Sequence, residues 1–247
     1  MTALLVDAGN SRVKWGLWSG GHLAETGATD TDALRAGTAS LPRTGFTRML
    51  VSNVAGDRVA EQLLAGVADS TAPEFVETAR EQGGVINAYD DPQRMGVDRW
   101  MALLGARAES AVASLVVDAG TAMTIDAVAS DGRHLGGQII PGAPLMMASL
   151  ATGTSKLPDI AGEPGVAPLP QELFTTGTED AIRHGAWTAV VGAVEHAYRQ
   201  LQQDDSRARL VLTGGDAPRM LDAIAVPVEH RPDLVLHGLA FILESAA

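Results

Sequence analysis

Apolar residues open the chain as a short unbroken run, Leu4-Leu5-Val6, which stops at Asp7-Ala8-Gly9. Beyond the stop, Val13, Trp15 and Leu17 alternate with Arg12, Lys14 and Gly16. The run predicts a buried strand, the Gly-Asn pair a tight turn, and the alternation a second, half-buried strand with Lys14 on the face opposite Val13 and Trp15. The same succession returns later in the chain. LLVDAGNSRVKWGLW at 4–18 is matched by LVVDAGTAMTIDAVA at 115–129, so that Asp118 stands 111 residues after Asp7. In each copy an aspartate sits where a buried strand ends and a hairpin begins.

Between and after the copies the pattern alternates strand and helix. Arg48 to Val54 reads as a strand and Asp57 to Val67 as a short helix. Val97, Trp100, Met101, Leu104 and Ala108 have helical spacing, as do Ile182, Ala186, Ala189, Val190, Ala193, Val194, Ala197 and Leu201 in a longer amphipathic segment. Arg209 to Leu212 reads as a strand entering Thr213-Gly214-Gly215-Asp216, and the four prolines between Lys156 and Pro170 predict an irregular connection. The repeat predicts an α/β protein of two similar domains facing one another, 1–115 and 116–247, with ligand in the cleft between them.

Composition narrows the chemistry. Of 247 residues 46% are apolar, enough for a sizeable core, and the net charge is −12 with acidic residues spread along the chain. A nucleic-acid binder needs a basic face and is not expected. There are no cysteines, which excludes disulfides, thiol nucleophiles and Cys-based zinc sites. The first seven residues have no basic segment and read as a strand, not a signal peptide. No apolar stretch approaches membrane-spanning length.

Five places carry candidate chemistry. In Asp7-Ala8-Gly9-Asn10-Ser11-Arg12-Val13-Lys14, Gly9 lets backbone approach a phosphate, Asn10 and Ser11 offer donors, Lys14 offers a charge, and Asp7 can hold Mg²⁺ directly or through water. The competing reading is an ordinary hairpin with a solvated lysine. In the second copy Thr121 offers a hydroxyl, and Asp118 is a costly carboxylate unless paired, bound to a cation or satisfied by its own turn. The Gly214-Gly215 pair leaves bare backbone against which a flat ring or ribose fits, unless it is a plain strand-to-helix turn. In YDDPQRMGVDR at 89–99, Asp98 is either a proton acceptor or a helix N-cap, and Arg99 either a carboxylate clamp or a surface arginine. Thr176 with Glu179 matches a capping box ahead of the long helix, whose N-terminus is also an anion site. The six histidines show no metal spacing.

Taken together, DAGNSRVK at 7–14, the Y…P…GVDR segment at 89–99, DAGTAMTID at 118–126, GGQIIPG at 136–142 and GTEDAIRHG at 177–185 resemble the type III pantothenate kinases. That family lies within the superfamily of acetate and sugar kinases, Hsp70 and actin. The resemblance implies two duplicated actin-like (ribonuclease H-like) domains with ATP in the cleft. It further implies that Asp7, Ala8, Gly9, Asn10, Ser11, Arg12, Val13, Lys14 and Thr121 contact ATP. By the same token Asp118 holds a monovalent cation (K⁺ or NH₄⁺), Asp98 accepts the proton, and Tyr89, Gly96, Val97, Asp98, Arg99 and Thr178 contact pantothenate. A cytoplasmic homodimer that takes the first step of coenzyme A synthesis, with Mg²⁺ and ATP and without nucleic-acid or membrane partners, is the expected whole. Ser11 stands where the family commonly has threonine, and Gly177 where it commonly has asparagine. Two other functions fit the residues: a non-catalytic nucleotide-binding regulator, such as a transcription accessory factor, on the same fold, and a kinase for another small hydroxylated acid or sugar.

Overall fold

The computed structural model describes residues 2–66, 71–160 and 173–245, and contacts divide the chain into two units: Met1–Ala111 with Asp233–Ala247, and Val112–Pro232. Each unit is built on one five-stranded sheet.

In the first unit, β1 (Thr2–Ala8), β2 (Arg12–Ser19) and β3 (His22–Asp30) form an antiparallel meander. Helix α1 (Thr31–Arg35) follows, then β4 (Arg48–Asn53), helix α2 (Asp57–Ala65) and β5 (Pro73–Phe75). Strands β4 and β5 are parallel to β1, giving the order β3-β2-β1-β4-β5. Leu4, Val6, Ala8, Val13, Met49 and Val51 point to one face of the sheet, where Leu34 of α1 and Val59 and Leu63 of α2 close the core. A two-stranded ribbon, β6 (Glu81–Gln82) and β7 (Val85–Ile86), leads through a 3₁₀ turn at Pro92–Arg94 into α3 (Val97–Glu109).

The second unit repeats the plan. Strands β8 (Ser114–Ala119), β9 (Ala122–Val128) and β10 (His134–Pro141) form the meander. Helices α4 (Ala143–Gly153) and α5 (Thr178–Asp204) precede β11 (Arg209–Thr213), α6 (Ala217–Met220) and β12 (Glu229–His230), and the strand order is β10-β9-β8-β11-β12. Leu115, Val117, Ala119, Met123 and Ile125 meet Ile182, Ala186, Val190, Val194 and Tyr198 along one stripe of α5. The repeat read in the sequence is thus a repeat of strand order and direction, while the hairpin register differs by one residue: Asp7 pairs with Lys14, but Asp118 pairs with Thr124 and not with Ile125.

The last helix, α7 (Leu234–Ser245), departs from the expected division. The boundary falls at 111/112 instead of 115/116, and residues 233–247 belong to the first unit. The physical reason is a close helix crossing. A Cβ on Gly238 of α7 would lie 2.0 Å from the Met101 carbonyl oxygen of α3, and one on Gly105 of α3 would lie 2.4 Å from the Leu234 carbonyl oxygen. Leu236 of α7 also packs at Gly16, on the Lys14 face of β2. Gly238→Ala is therefore expected to destabilise the fold by about 1–3 kcal/mol, since the obstacle is backbone and not a side chain that can turn away. Gly192→Ala, in the middle of α5 with open space beside it, is expected to be neutral or to stabilise by up to about 1 kcal/mol. Thermal unfolding of both variants checks the pair; equal melting temperatures would remove the glycine-crossing account.

The other expected elements stand with small changes of bounds. The helix expected over 57–67 is α2, ending at Ala65 with Gly66 as its C-cap, while Val67 and residues 161–170 of the expected proline-rich connection lie outside the described residues. Among the described residues no helix is long and apolar enough to cross a membrane.

Candidate functional site

Strand β1 delivers the first hairpin. Residues 3–6 are fully buried, so Asp7 is the first polar side chain the strand carries as it leaves the core. The turn that follows is tied on all sides. The Gly9 N–H donates to the Arg12 carbonyl (3.0 Å), the Thr31 hydroxyl donates to the Gly9 carbonyl (2.8 Å), and the Thr31 N–H donates to the Ser11 carbonyl (3.0 Å). A Cβ on Gly9 would crowd the Arg12 carbonyl at 3.1 Å. Asn10, Ser11 and Arg12 are exposed, whereas Ala8 and Val13 are buried against one another as register partners. Lys14 lies directly across from Asp7 on β2, and Ser52 directly across on β4. An ammonium, a carboxylate and a hydroxyl thus form one row over three strands. The Ser52 hydroxyl is fully buried and has no hydrogen-bond partner among the described residues.

This row fits a hydrated divalent cation with a polyphosphate. Its donors are oxygens, and Mg²⁺ is commonly held by one or two carboxylates while the remaining positions go to water and phosphate. A lysine in this row has the charge to compensate a phosphate.

A second group gathers at the start of α3. Arg99 is 5% exposed; it is not a surface arginine. Its Nη1 donates to the Tyr89 hydroxyl (2.9 Å), and its guanidinium carbon sits 5.7 Å from the Tyr89 ring centroid. Asp98 is adjacent and half-buried. The N-cap of α3 is Gly96, which makes no side-chain cap bond, so the N-cap reading of Asp98 is corrected: Asp98 lies within the first turn. Its Oδ1 accepts from the Arg99 N–H at 2.8 Å. That same oxygen lies close over Gly96: a Cβ there would stand 2.6 Å from it, so a side chain at 96 would have to turn the carboxylate aside.

The loop that carries Tyr89 is held by residues the sequence reading did not single out. The Arg80 guanidinium donates to the carbonyls of Asn87, Tyr89 and Asp90, and Asn87 Oδ1 accepts from the Tyr89 N–H at 2.9 Å. The Thr78 hydroxyl donates to the Met95 carbonyl at 3.0 Å. The available signal was the Gly83-Gly84 pair, a hairpin turn with both φ angles positive (58° and 74°) that sets Arg80 and Asn87 at the base of the β6–β7 ribbon.

In the second unit Asp118 stands in register with Thr124 and Thr213, and Thr121 is exposed at the hairpin turn. The turn is packed by glycines from two directions. Gly142, the last residue of GGQIIPG, donates its N–H to the Thr121 carbonyl (2.9 Å), and a Cβ on it would meet the Gly120 carbonyl at 2.2 Å. Gly214, with φ of 99°, lies so close to Asp118 Oδ1 and the Ala119 backbone that a Cβ would stand 2.4 Å from both. The bareness of Gly214 is therefore taken up by the hairpin, and Gly215 is the member of the pair with open space beside it. Burial raises the Asp216 carboxyl above the ordinary carboxylate range, and Arg219 at 3.4 Å opposes that shift. Asp126, at the end of DAGTAMTID, is buried with His134 at 3.0 Å.

Thr178 is the first residue of α5 and is exposed. The expected capping box of Thr176 with Glu179 is corrected: the N-cap is Gly177, which makes no side-chain cap bond. Glu179 and Asp180 occupy the first turn, where carboxylates complement the helix dipole. Thr178 is not joined to the other candidates of its unit by any common element.

The sequence pattern that defines type III pantothenate kinases matches residues 3–200. The chain belongs to the type III pantothenate kinase family. A relative of that description from Aromatoleum aromaticum is 38% identical over 246 residues, covering 99% of this chain and 98% of its own. A type III pantothenate kinase from Azoarcus sp. is 41% identical over 254 residues, covering 99% and 91%. Among solved structures, one from Campylobacter jejuni, assigned provisionally to a Baf family of transcriptional activators, superposes with a TM-score of 0.62 at 21% identity, covering 98% of both chains. That likeness concerns the fold: duplicated actin-like α/β domains, as the pantothenate kinase family pattern implies.

Proposed function

We propose that this family member transfers the γ-phosphoryl group of ATP to the primary hydroxyl of pantothenate, yielding ADP and 4′-phosphopantothenate for coenzyme A biosynthesis. Beyond family membership, the observation that carries the reading is the group at the start of α3: a buried arginine held by a tyrosine hydroxyl, with a carboxylate one residue before it. A guanidinium so placed suits an acceptor that carries a carboxylate, and a neighbouring carboxylate suits the proton of its hydroxyl.

In the reaction the pantothenate hydroxyl oxygen forms a bond to the γ-phosphorus as the bond to the β–γ bridging oxygen breaks. The proton passes to the Asp98 carboxylate. Phosphoryl transfer of this kind depends mainly on positioning and charge neutralisation. Asp7, Ala8, Gly9, Asn10, Ser11, Arg12, Val13 and Lys14 are assigned to ATP, as is Thr121. Tyr89, Gly96, Val97, Asp98, Arg99 and Thr178 are assigned to pantothenate. Mg²⁺ at Asp7 neutralises phosphate charge when bound. The reading includes a cytoplasmic homodimer.

A panel of acceptors tests it: pantothenate against other hydroxy acids and sugars, scored by ADP release. Pantothenate is expected to give the highest kcat/KM, and preference for a sugar would overturn the substrate assignment. Asp118 is assigned to a monovalent cation, because it ends a buried strand with a carboxylate enclosed by Gly214 and the hairpin backbone. Activity is accordingly expected to be low in Tris buffer and to rise on addition of K⁺ or NH₄⁺, with Asp118→Asn blunting the response. Equal rates in Na⁺ and K⁺ would remove the cation role while leaving the kinase assignment intact.

A further inference from the structure

We infer that Arg80 is a positioning residue for the acceptor site, acting through Tyr89 and Arg99 without touching substrate; the inference rests on the assignment of those two residues to pantothenate.

Residues 87–90 lie outside any strand or helix, so no ladder fixes their path. One guanidinium does so instead. Arg80 Nη1 donates to the carbonyls of Asn87 (3.1 Å) and Tyr89 (2.6 Å), and Nη2 donates to that of Asp90 (2.5 Å). A guanidinium is a rigid planar fork, so three carbonyls gathered round it define the course of the loop more closely than a point charge would. The three bonds fall on the segment that carries Tyr89. The following segment has its own ties, through Thr78 to Met95 and Gln93 to Thr78.

The ribbon that presents Arg80 is itself anchored to helices. Trp100 of α3 donates its indole N–H to Gln82 (3.1 Å), and Gly83 approaches the Phe241 ring of α7 so closely that a Cβ would lie 2.4 Å from it. The connections close a ring: α3 to the ribbon, the ribbon to Arg80, Arg80 to the Tyr89 backbone, and the Tyr89 hydroxyl back to Arg99 on α3. A ring closed through rigid elements places the tyrosine hydroxyl, and with it the guanidinium, more sharply than either contact alone. Opening it at Arg80 releases the Tyr89 loop while the helices keep their packing. Small misplacements of a positioning group reduce the productive fraction of bound substrate steeply.

Steady-state kinetics on the full chain test this, with wild type, Arg80→Ala, Arg80→Lys, Arg99→Ala and the double variant Arg80→Ala/Arg99→Ala. Arg80→Ala is expected to raise the KM for pantothenate by about tenfold or more, with the KM for ATP within about twofold of wild type. Arg80→Lys keeps the charge but not the fork, and is expected to retain most of the defect. The double variant is expected to be little worse than Arg99→Ala alone, because residues acting through one another are not additive. A near-normal pantothenate KM in Arg80→Ala, beside a raised one in Arg99→Ala, overturns the role of Arg80 alone. Additive losses, or an equal rise in both substrates' KM values, make Arg80 a general structural residue and also overturn it. A wild-type protein that does not phosphorylate pantothenate, or an Arg99→Ala variant with unchanged KM, removes the underlying assignment and this inference with it.

Discussion

Replacing Asp98 by asparagine is expected to lower turnover by roughly 10²-fold while leaving ATP binding and the fold in place. General-base groups contribute typically about 10²–10⁴-fold, and a loose phosphoryl-transfer transition state, in which the proton leaves late, favours the lower end. The geometry makes asparagine a clean probe. Asp98 accepts the Arg99 N–H through one oxygen and is not the helix cap, so an amide oxygen can keep that bond. What is lost is charge near a helix N-terminus, worth about 0.3–1 kcal/mol. At this chain length a loss of that size lowers the melting temperature by only about 1–4 °C. A large fall in turnover with a small fall in stability separates proton transfer from a helix-end role. Near wild-type turnover would reduce Asp98 to a partner of the α3 dipole and take the proton acceptor out of the mechanism.

Lys14→Ala is expected to lower kcat/KM for ATP by at least about tenfold, toward the 10² range seen when one preorganised charge-stabilising group is removed. The expectation follows from the row Lys14–Asp7–Ser52, in which the lysine is held across from the carboxylate by strand register. Lys14 is half-buried at the edge of that row and does not belong to the apolar core on the other face, so folding should survive. Asp7→Asn should produce a loss of similar size that depends on the Mg²⁺ concentration. Calorimetric titration with Mg²⁺–ADP, alongside turnover, checks both variants. Normal nucleotide affinity and turnover in the two would show that the first hairpin does not hold the phosphates.

Much of the fold was legible because the repeat is carried by features with strong local physics. Buried runs, tight turns and alternation predicted β1, β2, β8 and β9 and the face on which Lys14 lies. What the pattern did not reveal depends on partners distant in sequence. The α7 run from Leu234 to Leu243 is apolar on nearly every side, so periodicity cannot say which core receives it; the Gly105 and Gly238 crossing decides that. The β6–β7 ribbon has strands of two residues, too short for any periodic signal. Its Gly83-Gly84 turn was the sole local mark.

The site was legible as residue types and less so as geometry. Asp98 and Thr176 both carried good capping chemistry, yet glycines cap α3 and α5. At α3 the first intrahelical bond runs from the Trp100 N–H to the Gly96 carbonyl, which puts Asp98 inside the first turn. Propensity ranks candidates for the cap; it does not see where the first intrahelical bond forms. Arg80 was invisible for a related reason, since its partners are backbone carbonyls, which leave no trace in side-chain patterns. Gly142 and Gly214 show the reverse case, where glycines within recognisable motifs turn out to pin the second hairpin.

The most direct test of the account is to incubate the purified protein with ATP, Mg²⁺, K⁺ and pantothenate, and to identify the products by mass spectrometry and phosphorus NMR. The account predicts ADP and a phosphomonoester on the primary hydroxyl of pantothenate in equal amounts, with formation of both strongly reduced in Asp98→Asn. Nucleotide binding without any phosphorylated pantothenate, in K⁺ or NH₄⁺ alike, would contradict it.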